Sequence, residues 1–418
     1  MPPLKQTRSA KKPLSEKNSK EGDFITDLPK HQSPRKRKNN DNTDCKKTPI
    51  KNVKTAQKKR KSSIDFEQIM NFQCHGDLTE NTSVYATKFC PINSIVDAMN
   101  PYINVSCGGN TVTFIDCEQK TIVMKYVHPV ARNFVCLDWA VRKCDNVTCS
   151  VIAFGDSYGD VHLIDYLRRE YVCCLDKHTK GITDVKFTNM GLNLLTSSYD
   201  DTIRLWALPA DLTSSNISCV ATFGDPYQNI ICLSVHPQDK EFIIGCDQFK
   251  EGYDAGVCIY PLKSNYPKNN NKITTNRTIV NTDLHHSHVE ALDYLNENTI
   301  ISKSSSDGQI VIWDSRQEVP QPICSLSRQN VDSNEYGFRF EVYHLDAENF
   351  HLFDCNPDGD VCIYDIKIPI AKDKDIKPVL SLKGEDVKKA MHVSVSCDEK
   401  FMMVAHSNNR LALWKIKN

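Results

Sequence analysis

Nowhere in this 418-residue chain do eighteen apolar residues run together, and no apolar stretch follows Met1. A membrane-spanning helix needs about 20 such residues, so the sequence predicts neither a spanning segment nor a secretory leader. The sequon Asn146-Val147-Thr148 then has no route to glycosylation. No C-x-x-C pair occurs either. The eighteen cysteines fall mostly in apolar runs such as Val172-Cys173, Ile231-Cys232, Val257-Cys258 and Val361-Cys362, where a thiol serves as a small buried hydrophobe. Without four convergent ligands no zinc site is expected, and the compartment reads as reducing. A P-loop, a dinucleotide fingerprint, H-E-x-x-H and a calcium loop are also missing. No cofactor and no metal are expected.

A net charge is absent only in the sum. Residues 1–63 carry 19 lysines and arginines against 6 acids, a net of +13, which leaves 33 against 46, a net of −13, for 64–418. The basic segment holds one aromatic residue, Phe24, and is rich in Lys, Ser, Asn and Pro. It cannot bury enough apolar surface to offset its ordering entropy, so residues 1–68 are expected to form a disordered tail. Two clusters within it, Arg35, Lys36, Arg37, Lys38 and Lys58, Lys59, Arg60, Lys61, have the composition that nuclear import receptors read and that nucleic-acid phosphates attract. A nuclear location is the expectation, with weak nucleic-acid contact through the tail as an option.

Beyond the tail the sequence repeats. One window runs from His178 through Ile182-Thr183-Asp184-Val185, Leu194-Leu195-Thr196-Ser197-Ser198 and Asp200 to Ile203-Arg204-Leu205-Trp206. Another runs from His285 through Val289-Glu290-Ala291-Leu292, Ile300-Ile301-Ser302-Lys303-Ser304 and Asp307-Gly308 to Ile310-Val311-Ile312-Trp313. β-Branched runs after turn residues read as strands, and Asp-Gly is a hairpin signal. The position of Trp206 recurs at Ile115, Ile164, Tyr260, Trp313, Tyr364 and Trp414, giving seven repeats that end near 116, 165, 207, 261, 314, 365 and 415. Four-stranded units of this kind resemble WD repeats. The fold class is therefore all-β, a seven-bladed WD40 propeller over 69–418 behind the basic tail. The ring needs a strand from before the first repeat, near Asn71-Phe72-Gln73-Cys74, because closure removes exposed edges. The WD resemblance implies buried networks of His178, Thr196 or Ser198, Asp200 and Trp206, and of His285, Ser302 or Ser304, Asp307 and Trp313.

Gly155-Asp156-Ser157-Tyr158-Gly159 matches the G-x-S-x-G nucleophile elbow. That elbow needs a strand before it and a helix after it. Here it lies between Val151-Ile152-Ala153-Phe154 and Val161-His162-Leu163-Ile164, two strand-like runs, so it reads as a hairpin turn. No catalytic residue is assigned, and the chain is read as an interaction platform and not an enzyme.

Residues 72–418 further resemble the extra sex combs or EED family, the WD-repeat subunit of Polycomb repressive complex 2. The likeness is carried by Phe72-Gln73-Cys74, Asn133-Phe134 with Trp139, Leu205-Trp206, Asp283-Leu284-His285, Tyr336-Gly337-Phe338-Arg339-Phe340 and Leu413-Trp414. It implies a non-catalytic scaffold that binds and activates a SET-domain histone lysine methyltransferase subunit, alongside other Polycomb repressive complex subunits, in support of repressive histone methylation. It also implies an aromatic cage for trimethyl-lysine on a histone tail, held by cation–π attraction. The four cage positions fall at Tyr85, Val135, Tyr336 and Gly337. Two of these lack a ring, so reading is expected to be reduced or altered unless Phe134 or Phe338 compensates, which strand alternation opposes. The alternative is another nuclear WD40 adaptor, a ubiquitin-ligase substrate receptor or a ribosome-assembly factor.

Overall fold

The computed structural model describes residues 23–25, 65–76, 82–91, 99–144, 147–189, 191–224, 229–247, 256–263, 266, 273–274, 278–280, 284–285, 287–304, 307–317, 322–327, 337–370 and 376–417. They form the expected seven-bladed β-propeller, with seven sheets of four antiparallel strands arranged in a ring; blade three gains a short parallel strand, Ile273–Thr274, at its outer edge. Blade one comprises Val84–Phe89, Ile103–Gly108, Thr111–Asp116 and Thr121–Val127. The third strands of the seven blades end at Asp116, Asp165, Ala207, Pro261, Asp314, Lys367 and Lys417. The last two run two residues beyond the repeat ends read from the sequence.

Both faces of the two middle strands of a blade are covered, which is why these strands are apolar without strict alternation. Ile103–Gly108, Thr111–Asp116 and Phe401–His406 are buried at every residue. The core is seven separate clusters, one in each interface between adjacent blades. The repeat position marked by tryptophan supplies one residue to each cluster. Ile115 packs between blades seven and one, Ile164 between one and two, Trp206 between two and three, and Tyr260 between three and four. Trp313, Tyr364 and Trp414 continue the series round the ring.

Two boundaries differ from the sequence reading. The closing strand is Asp65–Phe72, which pairs antiparallel with Arg410–Lys417 from Asp65↔Lys417 to Phe72↔Leu411. The propeller therefore begins at residue 65, inside the segment assigned to the tail, and Cys74 lies past the strand. Within the tail, Asp23–Ile25 adds a fifth strand to the outer edge of blade one, in register Asp23↔Val127, Phe24↔Tyr126 and Ile25↔Lys125. An outer strand offers a row of unpaired N–H and C=O groups, and composition alone carries no signal for a pairing that short.

Candidate functional site

The loops that enter the inner strands, together with the turns between second and third strands, surround one mouth of the central channel. The upper opening, a cavity of about 1070 Å³, is lined by Tyr85, Val135, Tyr158, Tyr199, Gly337 and Arg339 among others. Three of the four cage positions thus converge on one opening. Tyr336 lies outside the described residues, as do Arg35–Lys38 and Lys58–Lys61. Val135 presents an aliphatic side chain, partly buried against the cluster between blades two and three. At Gly337 an added Cβ would meet nothing within 4 Å, but the residue has φ +99°, a conformation that side chains other than glycine resist. Phe134 and Phe338 are 0% and 1% exposed. They are core residues and supply no wall to the opening.

Other rings stand there instead. Tyr158 is 65% and Tyr199 43% exposed; each lies just beyond the second strand of its blade, Val147–Asp156 and Asn193–Ser198. The sequence reading passed over both. Their signal was a tyrosine within the same turn of two consecutive blades, one position apart: Tyr199 aligns with Ser157 and Tyr158 with Asp200. Arg132 lies over the Tyr158 ring at 5.2 Å and pairs with Asp156 at 2.8 Å and Asp160 at 2.7 Å. Burial disfavours the charged guanidinium, but those two carboxylates outweigh it and raise its pKa. Asp160 and Asp176 bring negative charge to the same rim. The same lining carries Arg132, Lys180 and Arg339, with Arg132 engaging both Asp160 and the Tyr158 ring. An approaching cation is therefore favoured only locally, by the rings of Tyr85 and Tyr199 and the Asp176 carboxylate.

Beneath Gly337 the backbone is pinned by buried charge. Glu290, fully buried, accepts from the N–H of Gly337 at 2.8 Å and of Phe338 at 3.3 Å. Lys303, also fully buried, donates to the carbonyls of Phe338 and Cys355 at 2.9 Å each and pairs with Asp354 at 2.6 Å. Charges this deep persist only when paired and hydrogen-bonded, and here they hold the strand entry of blade six in place.

Arg339 forms the floor of the opening. Its guanidinium reaches Asp184 at 3.2 Å and donates to the Ile231 carbonyl at 3.1 Å. Below it lies a second chamber of about 320 Å³ whose lining includes Lys88, Asp138, Lys186, Asp293, Glu341 and His392. Lys88 pairs with Asp138 at 3.1 Å. Burial pushes the Glu341 carboxyl up to about 7 and His392 well below the usual imidazole range.

The two WD networks assemble as hydrogen-bonded chains. His178 lies 3.0 Å from Asp200 through Nδ1 and 2.9 Å from Thr196 Oγ1 through Nε2, and Trp206 Nε1 donates to the same Thr196 oxygen at 3.0 Å. His285 does likewise with Asp307 at 3.1 Å and Ser302 at 2.9 Å, with Trp313 donating to Ser302 at 3.1 Å. Thr196 and Ser302, one residue pair inside Ser198 and Ser304, are therefore the hydroxyl partners. Ser157 sits in the turn between Val147–Asp156 and Val161–Asp165. A strand follows where the elbow requires a helix, and Asp156 accepts from the N–H of Tyr158 and Asp160 to close the turn. Gly159, at φ +100°, has no room for a side chain, since a Cβ would come within 2.5 Å of the Lys180 carbonyl. Among the described residues no cluster of His, Cys, Asp and Glu could hold a metal ion.

A family model described as the WD domain of leucine-rich repeat and WD repeat-containing protein 1 matches residues 58–331, well over half of the chain. Proteins of that name from Xenopus tropicalis and Danio rerio are similar. The first is 23% identical over 406 residues, covering 86% of this chain and 56% of the relative. The second is 25% identical over 310 residues, covering 68% and 39%. The chain thus spans about half the length of the curated relatives it matches. Among solved structures, a chain of Chaetomium thermophilum Polycomb Repressive Complex 2 superposes with a TM-score of 0.65 at 12% identity, over 84% of this chain and 98% of the other. That likeness is one of fold, and the sequence matches point to a different family from the extra sex combs proteins.

Proposed function

This chain belongs to the WD-domain family of leucine-rich repeat and WD repeat-containing protein 1, and on that footing we propose that it is a non-catalytic scaffold of a chromatin-associated complex whose upper opening takes a lysine side chain in an altered cage. The observation that carries the proposal is the convergence of Tyr85, Tyr158 and Tyr199 with Asp160 and Asp176 on one mouth of the channel. A ring facing a desolvated quaternary ammonium contributes about 0.5–2 kcal/mol. Val135 and Gly337 contribute no ring, and Arg132 already covers a face of Tyr158. Affinity for trimethyl-lysine is therefore lowered relative to a four-walled cage, by about ten-fold for each 1.4 kcal/mol lost.

In its finer form the proposal makes the partner a SET-domain histone lysine methyltransferase, with other Polycomb-type subunits, in the nucleus. The fold shared with a chain of a Polycomb complex supports this form, as do the basic clusters of the tail. Titration of the full chain with a histone H3 peptide, trimethylated on one lysine or unmodified, tests the opening. Preference for the trimethylated peptide, weakened several-fold in Tyr85→Ala and in Tyr199→Ala, is the expected result. Equal affinities, unchanged in both variants, overturn the lysine-reading part.

A further inference from the structure

The tail strand has a direction, and that direction matters. Asp23 pairs with Val127, Val127 with Thr111, Thr111 with Gly108, and Gly108 with Val84. These five residues form one row across blade one, from its outer edge to the inner strand that carries Tyr85. The same row lies at the end of the blade that faces the upper opening. Thr121–Val127 runs toward that end and leads into the loop bearing Arg132. Asp23–Ile25 is antiparallel to it, so Asp23, its first residue, stands at the upper end.

We infer that residues 1–22 are an intramolecular ligand of the upper opening, with a lysine ammonium placed among Tyr85, Tyr158, Tyr199, Asp160 and Asp176. Four strand spacings separate Asp23 from the inner strand, about 19 Å at about 4.8 Å each. Six extended residues cover that distance at about 3.3 Å per residue. Lys17 and every lysine before it are therefore within reach. The segment is basic, with Lys5, Arg8, Lys11, Lys12, Lys17 and Lys20 against Glu16 and Glu21. It faces a propeller of opposite net charge, in which the mouth itself holds Arg132, Lys180 and Arg339 beside the two carboxylates. A short tether gives an effective concentration on the order of 1 mM, so a site with a Kd of about 100 µM would be about nine-tenths occupied by the tail. The tail then competes with any external basic peptide by about ten-fold, and the contact is an autoinhibitory one.

The inference rests on the opening accepting lysine, and two measurements on the full chain separate the ideas. The first is carbodiimide coupling of amines to carboxylates in the monomer, followed by mass spectrometry. Lys5, Lys11, Lys12 or Lys17 joined to Asp160 or Asp176, and lost at about 0.5 M salt where exposed charges are screened, is the expected result. The second compares binding of a trimethyl-lysine histone H3 peptide by the natural chain and by a Lys5→Gln, Lys11→Gln, Lys12→Gln, Lys17→Gln variant, which should bind about ten-fold tighter. Tail lysines joined only to other carboxylates, with equal peptide affinities, overturn the inference and leave the lysine-reading proposal standing. Coupling to Asp160 or Asp176 with no peptide binding by either chain keeps the tail contact and overturns the reading of methylated peptides.

Discussion

Arg339, rooted in blade six, places its Nη1 3.2 Å from the Asp184 carboxylate of blade three, across the central channel. The same carboxylate accepts from the backbone N–H of Leu233 in blade four at 3.2 Å. One side chain thus couples three blades that are not all neighbours. It also separates the aromatic opening above from the charged chamber below, since Arg339 lines both.

Removing this cross-channel pair should loosen the ring. Arg339→Ala leaves Asp184, whose side chain is only 7% exposed, without its cation. Stability should fall by about 2–4 kcal/mol, as when one partner of a buried pair is deleted. Chemical denaturation measures it, and a change below about 0.5 kcal/mol would mean the pair is no more than a surface contact.

The WD networks make a sharper comparison. Asp200 accepts from Thr179 N–H and Thr202 N–H at 3.0 Å each, besides facing His178. Burial raises its pKa, but these hydrogen bonds and His178 outweigh it and hold the carboxyl well below the usual range. Asp200→Ala should cost about 2–3 kcal/mol through the donors left unpaired. Trp206→Phe, which keeps a ring in the interface but loses the bond to Thr196, should cost less than Asp200→Ala. Denaturation midpoints of the two variants would contradict this by appearing in the reverse order.

Much of the fold was readable because propeller physics repeats. Every interface between blades needs one large apolar residue at the same register, so Ile115, Ile164 and Tyr260 could be aligned with Trp206 even without the tryptophan. The hydrogen-bond networks were readable in blades three and five, where histidine, aspartate and tryptophan all survive. The opening was only half readable. Tyr85 and Val135 lie on inner strands whose register the repeats fix, whereas Tyr158 and Tyr199 project from turns, and turn direction is not set by strand alternation. The Asp23–Ile25 pairing had no sequence signal, because edge pairing depends on backbone groups that every residue carries.

The lower chamber predicts a pH dependence. Glu341 titrates at about 7 in the folded chain against an ordinary 4.5, chiefly through burial, with Lys88 and Lys186 opposing and Asp293 and Asp138 adding to the rise. The folded state then holds more protons than the unfolded state between those values, so stability falls as pH rises from 4.5 through 7. Glu341 is only partly buried, so solvent screening reduces the penalty to about 1–2 kcal/mol. Glu341→Gln should raise stability relative to the natural chain at pH 8 and not at pH 4.5. A gain that is the same at both values contradicts the assignment.

Restoring a wall should restore binding. Val135→Tyr adds a ring at the opening, where the φ of Gly337 makes that neighbouring position a poor place to do so. Affinity for a trimethyl-lysine peptide should rise by about three- to ten-fold, the equivalent of one cation–π contact. Calorimetric titration checks it, and an unchanged or weaker affinity would place the peptide elsewhere.

The scaffold proposal is tested most directly by purifying the tagged full chain from nuclei and identifying its partners by mass spectrometry. Recovery of chromatin-complex subunits that include a SET-domain methyltransferase is the predicted result. Recovery of ubiquitin-ligase or ribosome-assembly components, with no chromatin protein among them, would contradict it.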